Sequence, residues 1–398
     1  MRSRSHRSRS SGLIGESVRG RYVVRSQPLD SQDSLGEKFE GPNWTLHQTA
    51  GGTRVNTPAV PAKERGAMKR LVGAVAVVGA TSVVLFATQP AYATYPGKNG
   101  RISFRRYLNA KHSWGAIFTI NPDGTGERQV THPKRGVRTF QQDWSPNGRW
   151  IAYERDGGPD GEDLWKIRAN GTHKSYLSGT CRDTCGADFT PFWSPSGKLI
   201  SFSRWITTSP PSNDCCFVAI FVMQADGTHV RQVTQQDAAT DQLSGLQDSS
   251  PVWSPDGDRF AFERHSDEKD KHAIFTVHRD GTHLHRLTPW NRDAAEPDWS
   301  PNGRWVAFRT QEESEDQGHL GLVHPNGKGL HLITWGQGKW VSCSFSPNGK
   351  KIVGAWPAGG LPDNPDLYVM NLNGSHLRNV TNSAETWESA PDWGPRPK

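Results

Sequence analysis

The chain has 398 residues, of which 34% are apolar and 22% charged, with 41 Gly, 27 Pro and 16 Trp. This abundance of Gly, Pro and Trp favours many short strands joined by tight turns and argues against a helical bundle. The formal charge is +7, but residues 1–93 hold 13 Lys and Arg against 6 Asp and Glu, which accounts for the whole excess. The rest of the chain is therefore neutral, and its composition gives no support for nucleic-acid binding.

A secretory signal peptide is predicted over residues 68–93. Lys69-Arg70 precedes an uncharged stretch at residues 71–87, and Ala91-Tyr92-Ala93 forms an Ala-x-Ala cleavage site before Thr94. Secretion or delivery to the periplasm or cell envelope is therefore expected. An uncleaved membrane anchor is the alternative, because such a stretch is marginal for crossing a hydrocarbon core of about 30 Å.

Residues 1–67 precede this signal and show no apolar periodicity. We interpret them as a mis-assigned extension upstream of a start at Met68 or, if they are made, as a disordered tail. Their Arg/Ser run, MRSRSHRSRSSG, is also compatible with an RNA-binding tail, although one short run before an export signal is weak support.

An internal repeat accounts for the chain after Ala93. Its first half is an aromatic residue followed by Ser-Pro, a polar residue and Gly, and its six copies, the last truncated, are centred on Trp144, Trp193, Trp253, Trp299, Phe345 and Trp393. Its second half is an apolar strand, a Gly turn and a polar strand, and the six turn glycines are Gly124, Gly171, Gly227, Gly281, Gly327 and Gly374.

Each repeat is interpreted as four short antiparallel strands, because Asx-Gly supplies the positive φ that a tight hairpin needs. Such units stacked around an axis form the blades of a β-propeller. Residues 95–104 match the second strand of a unit, and residues 391–394 match the missing first strand. We therefore predict an all-β, six-bladed β-propeller over residues 94–398, closed by pairing of the N- and C-terminal strands.

These repeats resemble the TolB-type six-bladed β-propeller, which is related to the WD-like propellers. The resemblance covers roughly residues 95–398 and implies the fold more strongly than a function. TolB carries an α/β domain before its propeller, whereas only a few residues separate Ala93 from the first blade here, so the resemblance does not extend to that domain. The related prolyl-oligopeptidase group adds a serine-hydrolase domain, but this sequence contains no Gly-x-Ser-x-Gly motif.

With the strands of a blade labelled a to d from the axis outward, the b–c and d–a loops lie on one rim, the long-loop rim. The a–b and c–d turns lie on the other, the short-turn rim. Long loops on a rigid scaffold commonly carry function. Six long-loop segments hold 14 Asp and Glu against 3 Lys and Arg, namely residues 107–114, 156–163, 205–216, 265–272, 310–319 and 355–366. This excess predicts a surface for a cationic ligand, a metal ion or a basic partner, or else serves only solubility.

Acidic residues of strand a are expected near the mouth of the axial channel. These predicted ligand-binding residues are Asp143, Glu296, Asp298, Glu388 and Asp392. Clustered carboxylate oxygens suit Ca²⁺, which stays an open alternative at the channel mouth because no spacing fixes a coordination geometry. No other cofactor and no metal motif such as His-Glu-x-x-His is indicated.

Loop tryptophans Trp114, Trp205 and Trp356 are candidates for stacking against a saccharide, whereas the repeat tryptophans are expected in the core between blades. The repeat histidines are expected in the outermost strand d, far apart on separate blades. We interpret the protein as an exported, monomeric, non-catalytic binding propeller that captures a protein, peptide or saccharide on its acidic rim. The alternative is a polysaccharide lyase or hydrolase that uses carboxylates at the channel mouth.

Four cysteines fall on two loops of the long-loop rim, and export permits disulfides: Cys181, Cys185, Cys215 and Cys216. Bridges between the first pair and the second would fasten the loop at residues 205–216 to its neighbour. Vicinal Cys215–Cys216 bonding and a Cys181–Cys185 bridge are the alternatives. Cys343, in an inner strand, is expected to be a buried free thiol.

We predict that the exported protein begins at Thr94, which N-terminal sequencing of exported material measures. Replacing the small residue Ala93→Phe should block cleavage, because the cleavage site requires small side chains. Recovery of wild-type protein that retains residues 71–87 in the membrane fraction would show that this stretch is an anchor.

Overall fold

A computed structural model describes residues 95–158, 161–178, 185–207, 216–235, 245–311, 317–335, 338–357, 364–383 and 385–397. These residues form 26 β-strands and one short 3₁₀-helix, Trp290–Arg292. No helix within these ranges has the length and apolar character needed to cross a membrane.

The strands are short, and most of the connections between them are tight turns. In chain order they are β1 (Asn99–Tyr107), β2 (Gly115–Ile120), β3 (Arg128–Gln129), β4 (Arg138–Trp144), β5 (Trp150–Gly158), β6 (Gly161–Arg168), β7 (Ser175–Tyr176), β8 (Cys185–Trp193), β9 (Leu199–Thr207), β10 (Cys216–Gln224), β11 (Arg231–Gln232), β12 (Leu246–Trp253), β13 (Arg259–Ser266), β14 (Lys271–His278), β15 (His285–Arg286), β16 (Ala294–Trp299), β17 (Val306–Thr310), β18 (Gln317–Gly318), β19 (Leu320–Val323), β20 (His331–Leu332), β21 (Gly338–Lys339), β22 (Ser342–Phe345), β23 (Lys351–Trp356), β24 (Asp366–Asn371), β25 (Arg378–Asn379) and β26 (Glu388–Pro395).

Six four-stranded sheets form six blades in a propeller arrangement, as the repeats predicted. From the axis outward, blade 1 is β26-β1-β2-β3, blade 2 is β4-β5-β6-β7 and blade 3 is β8-β9-β10-β11. Blade 4 is β12-β13-β14-β15, blade 5 is β16-β17-β19-β20 and blade 6 is β22-β23-β24-β25. Strands β18 and β21 pair in parallel and join the b–c loop of blade 5 to the segment that enters blade 6.

Closure by the two ends of the domain is confirmed. Strands β26 and β1 pair antiparallel, with Ile102 opposite Trp393 and Ser103 opposite Asp392. Blade 1 therefore combines an inner strand from the C-terminal end with three outer strands from the N-terminal end. This pairing gives backbone partners to two strands that would otherwise be open edges.

The c–d turns show why glycine recurs in them. Gly227 has a φ of +92°, which L side chains rarely adopt. A Cβ at this position would also lie 2.6 Å from the carbonyl oxygen of Leu177 in the neighbouring blade. Asp226 shapes the same turn, because its Oδ1 accepts hydrogen bonds from the N–H (3.0 Å) and the hydroxyl (2.7 Å) of Thr228. Asx-Gly therefore serves both the hairpin and the packing of blades.

The repeat tryptophans lie in the core, as predicted. Trp253, Trp299 and Trp393 are almost completely buried, and the Trp253 ring packs against Phe260 at a centroid distance of 4.4 Å. The largest apolar cluster joins side chains of blades 3, 4 and 5, so burial of these rings holds neighbouring blades together.

The placement of the repeat histidines in strand d was wrong for all but His331. His173, His229, His283 and His376 lie in the turn before that strand, each at a φ between +54° and +56°. The imidazole of His173 lies 2.9 Å from the hydroxyl of the preceding Thr172, and the same local contact recurs in the other three turns. These histidines therefore have a local role in the turn.

We predict that removing residues 388–398 abolishes soluble, cooperatively folded protein, because blade 1 loses its inner strand and β1 becomes an open edge. Removing only residues 396–398 leaves β26 intact and is the matched control. Thermal unfolding followed by circular dichroism measures both. A long truncation that unfolds at the wild-type temperature would contradict closure through β26.

Candidate functional site

Carboxylates of the inner strands bind the backbone of the following blade. Three aspartates occupy the same repeat position, directly before the buried aromatic residue of their own blade. Each accepts a hydrogen bond from the backbone N–H of the equivalent aromatic residue in the next blade. The bonds are Trp193 N–H to Asp143 Oδ2 (2.6 Å), Phe345 N–H to Asp298 Oδ2 (2.7 Å) and Trp144 N–H to Asp392 Oδ2 (2.7 Å). In blade 6, Ser344 replaces the aspartate and accepts the N–H of Trp393 (3.3 Å). These side chains therefore join blades around the axis.

The same aspartates line two small spaces along the axis. The space nearer the short-turn rim has a volume of about 10 Å³ and is lined by the buried tryptophans and Tyr95. The space nearer the long-loop rim has a volume of about 50 Å³, and its polar lining residues include Gln142, Asp143, Ser250, Glu296, Asp298, Ser342, Ser344 and Asp392. The structure thus brings four of the five predicted channel carboxylates together at this upper space, which we call the axial cavity.

Burial and mutual repulsion set the protonation of these aspartates. Burial raises the pKa of Asp392 to about 6, although hydrogen bonds from the Trp144 N–H and the Ser344 hydroxyl oppose the shift. Burial also raises the pKa of Asp143 well above its usual range, and the charges of Asp392 and Asp298 add to that effect. Asp143 and Asp392 therefore hold protons more tightly than free carboxylates do.

Glu296 reaches the axial cavity from a bulge in β16, where its φ is +50°. Its backbone N–H donates to Glu263 Oε2 (3.0 Å), and its Oε1 lies 3.4 Å from Arg309 Nε. Burial raises the pKa of Glu296, and the guanidinium of Arg309 opposes that shift. The same bulge in β8 places the Thr190 N–H 3.2 Å from Glu154, whose pKa burial raises to about 8. Buried acids of strand b thus receive the N–H groups that the bulges expose.

Glu388 lies away from the axial cavity, in contrast to its expected position. It is fully buried and forms an ion pair with Arg106, the cross-strand neighbour on β1. Equivalent pairs occur in blades 3 and 4, namely Arg204 with Asp188 (2.6 Å) and Arg264 with Asp248 (2.6 Å). The repeat therefore encodes a buried acid–arginine pair between strands a and b, and Glu388 is one of its copies.

The three candidate loop tryptophans have different surroundings. Trp114 is half-buried, and its indole N–H donates to the carbonyl oxygen of Pro133 (3.2 Å). Trp356 stacks on Trp340 with ring centroids 5.3 Å apart and an interplanar angle of 6°, so one face of its indole is already covered. Trp205 is 42% exposed and lies over Gly186, where a Cβ would be 3.3 Å from the indole. Trp335, which sequence reasoning missed, is 76% exposed on the d–a connection after β20. Trp205 and Trp335 are therefore the accessible indoles of the long-loop rim.

Tyr95 was also missed by sequence reasoning, because it precedes the first strand of the repeat. Its ring is buried, and its hydroxyl donates to the carbonyl oxygen of Trp193 (2.8 Å). The next residues are held at the short-turn rim, where the Gly97 N–H donates to the carbonyl oxygen of Pro347 (3.1 Å). Tyr95 therefore closes the axial channel at the short-turn end.

Several predicted residues fall outside the described part of the chain. These are Ala91, Ala93, Thr94, Cys181 and Cys215, together with half of the acidic loop positions. Cys185 and Cys216 begin β8 and β10, and the pairing of all four rim cysteines stays a prediction. Cys343 is a buried free thiol, as predicted, and burial raises its pKa well above the usual range. Among the described residues, no group of three or more His, Cys, Asp or Glu side chains is arranged to hold a metal ion.

We predict that Asp392→Asn removes a pH-dependent penalty on stability. A carboxyl whose pKa is higher in the folded protein loses its stabilising contribution as pH rises, here between about 4 and about 6. As the pH rises through this range, the free energy of unfolding of the variant should increase relative to that of wild type by on the order of 3 kcal/mol. Urea unfolding at pH 4 and pH 7 measures this difference.

The matched control for this prediction is Asp226→Asn in an exposed turn. Hydrogen bonds from Thr228 lower the pKa of Asp226, so this change should alter the pH dependence in the opposite direction. Parallel stability curves for Asp392→Asn and wild type would contradict a raised pKa at the axial cavity.

Comparison with known proteins supports the fold. Residues 180–353 match the TolB beta propeller domain. An uncharacterized protein of Agrobacterium fabrum is 28% identical over 152 residues, which are 37% of this chain and 47% of that protein. This chain thus spans about half the length of that curated relative.

Two solved structures share the ring architecture. TolB from Acinetobacter baumannii superposes with a TM-score of 0.56 at 19% identity, covering 75% of this chain and 67% of that one. A putative TolB from Agrobacterium tumefaciens gives a TM-score of 0.51 at 18% identity, covering 74% and 99%. The chain therefore has a six-bladed β-propeller fold, and residues 180–353 of it match the TolB beta propeller domain.

Proposed function

We propose that this protein is an exported, non-catalytic binding propeller that captures a protein, peptide or saccharide on its long-loop rim. The observation that carries the proposal is the use of Asp143, Asp298 and Asp392 as links between blades. Each of these carboxylates accepts a backbone N–H of the next blade, so it is committed to holding the ring together. If such a carboxylate moved to act on a substrate, its hydrogen bond to the next blade would be lost.

The size of the axial cavity also favours a binding role at the rim. Its volume of about 50 Å³ is far below the roughly 300 Å³ at which small-molecule sites begin. A sugar ring would not fit there without displacement of the inner strands. Ligand capture is therefore assigned to the loops above the cavity.

The accessible indoles supply the apolar part of this rim. Trp335 and Trp205 expose much of their rings on the same rim as the six long-loop segments, which together hold 14 Asp and Glu against 3 Lys and Arg. Large exposed aromatic side chains are common anchors of binding surfaces, and surrounding acids favour a cationic partner. The TolB-like architecture and the predicted signal peptide support a role in the cell envelope, with protein partners in general.

A propeller lyase or hydrolase is the competing function. Its supporting observation is the raised pKa of Asp392, about 6, beside other carboxylates at one cavity. An acid–base pair of this kind is used by many hydrolytic enzymes. Against it, Asp143, Asp298 and Asp392 each accept a backbone N–H of the next blade.

We predict that Trp335→Ala lowers capture of envelope partners by the tagged full-length protein at least about tenfold, the scale of a central aromatic contact. Quantitative mass spectrometry after cross-linking compares wild type, Trp335→Ala and Trp205→Ala. Tyr176→Ala is the matched control, since it removes an exposed ring from outer strand β7 of blade 2. All variants should unfold at the wild-type temperature.

Two results would overturn this function. The first is equal capture by the rim variants and wild type. The second is turnover of a polysaccharide by the purified protein that Asp392→Asn abolishes while stability is retained, because that outcome makes the axial carboxylates catalytic.

A further inference from the structure

The short-turn rim carries charge opposite to that of the long-loop rim. Its turns and the entry segment hold 16 Lys and Arg against 6 Asp and Glu, counted over residues 95–101, 122–128, 146–149, 169–174, 195–198, 225–231, 255–259, 279–286, 301–304, 325–328, 347–351, 372–378 and 395–397. The neutral domain is therefore electrostatically polarised along its axis, with one acidic and one basic face.

The repeat itself produces this basic face. The residue after the glycine of the a–b turn is basic and exposed in four of the six blades: Arg149, Lys198, Arg304 and Lys350. The equivalent residue is the half-buried Arg101 in blade 1 and Asp258 in blade 4. Within the described part of the chain, the side chains of Lys198, Arg304 and Lys350 make no hydrogen bond or ion pair. These cations surround the end of the channel that Tyr95 closes.

Two arginines line a groove on the same face. It lies between blades 4 and 5, has a volume of about 420 Å³ and is lined by Arg259, Arg304, His324, Pro325 and Asn326. His324 stacks on Trp305 with centroids 3.8 Å apart, and its Nδ1–H donates to the carbonyl oxygen of Arg304 (2.8 Å). Arg259 forms an ion pair with Asp256 (3.7 Å), and Asp258 directly precedes it in the chain. Two arginine side chains thus line one groove, and guanidinium groups are donors that phosphate oxygens accept.

Exposed leucines occur beside these cations. Leu284 and Leu377 follow the turn histidines of blades 4 and 6, and each exposes more than two fifths of its surface. Their place in the c–d turns puts them at the outer edge of the short-turn rim. Apolar side chains among basic residues are typical of surfaces that rest on a lipid interface.

We propose that the short-turn rim docks on the surface of an anionic phospholipid bilayer. The cations form a broad ring, which matches a plane of headgroup phosphates better than a single small ligand. Each Lys or Arg near such a surface contributes about 1 kcal/mol of attraction, which salt screens. The exposed leucines add apolar contact at the headgroup boundary.

This docking orients the molecule. The acidic long-loop rim, with Trp205 and Trp335, then faces away from the bilayer and stays accessible to partners. The inference goes beyond the proposed capture function and does not depend on it, because the two faces are separate and can be altered independently.

Flotation with vesicles tests the docking. Exported protein, checked for the same mature N-terminus in every variant, is mixed with vesicles of phosphatidylcholine alone or with roughly 30% phosphatidylglycerol, which makes the surface anionic. Wild type should bind only the anionic vesicles and should be released by about 0.5 M NaCl. Arg304→Gln/Lys350→Gln should bind about 10- to 30-fold more weakly, the loss that two surface charges imply.

The control double variant, Lys111→Gln/Lys269→Gln, removes the same charge from the long-loop rim and should bind as wild type does. Leu284→Ser/Leu377→Ser should weaken binding while keeping its salt dependence. Soluble glycerol phosphate at the concentration of the lipid phosphate should not compete, since it offers no surface.

Three outcomes would overturn the proposal. Equal binding to both vesicle types would exclude charge recognition, and displacement by glycerol phosphate would indicate a small-phosphate site. Self-association that Arg304→Gln/Lys350→Gln abolishes, without vesicle binding, would indicate stacking of the basic face on the acidic face of a second copy. In every case the Trp335 capture experiment retains its own result.

Discussion

Pairing of β26 with β1 is the interaction on which the rest of the ring depends. The closing strand also brings Asp392 and Trp393 between blades 6 and 2. Asp392 accepts the N–H of Trp144 on one side, while Ser344 accepts the N–H of Trp393 on the other. The axial cavity exists only when these bonds are made, because its walls are the inner strands themselves. Backbone pairing, blade contacts and site geometry are therefore consequences of one closure.

The turns and the closure could be predicted from sequence because their causes are local or repeated. An Asx-Gly pair such as Asp226-Gly227 specifies its hairpin through a positive φ and a side-chain bond two residues away. Six copies of such a turn fix the number of blades. The first repeat lacks its inner strand, and an extra inner strand follows the last complete repeat. Blade 1 can therefore be completed only by pairing that C-terminal strand with β1. None of these steps requires knowledge of side-chain contacts across the ring.

The position of Glu388 could not be predicted, because a bulge changes which way the strand presents its side chains. Four residues separate Glu388 from Asp392, an even spacing that would put both on one face of a regular strand. In the structure their partners on β1, Arg106 and Ser103, are only three residues apart. The extra residue near Ala390, whose φ is +50°, therefore turns Glu388 from the axis toward Arg106. Tyr95 escaped prediction for a different reason, since it lies outside the repeat and fills space that only the closed ring encloses.

The distribution of charge shows what composition alone conceals. Equal numbers of acidic and basic residues after residue 93 exclude a strongly charged domain, but they say nothing about separation of the two signs. In antiparallel blades, the connections of each type all lie on one rim. A difference in charge between the long loops and the short turns therefore becomes a difference in charge between the two faces. Basic residues in short turns such as Gly303-Arg304 and acids in long loops such as residues 265–272 are sorted in this way. A propeller of zero net charge can thus present a basic face and an acidic face at once, and the two faces do not share the same surface.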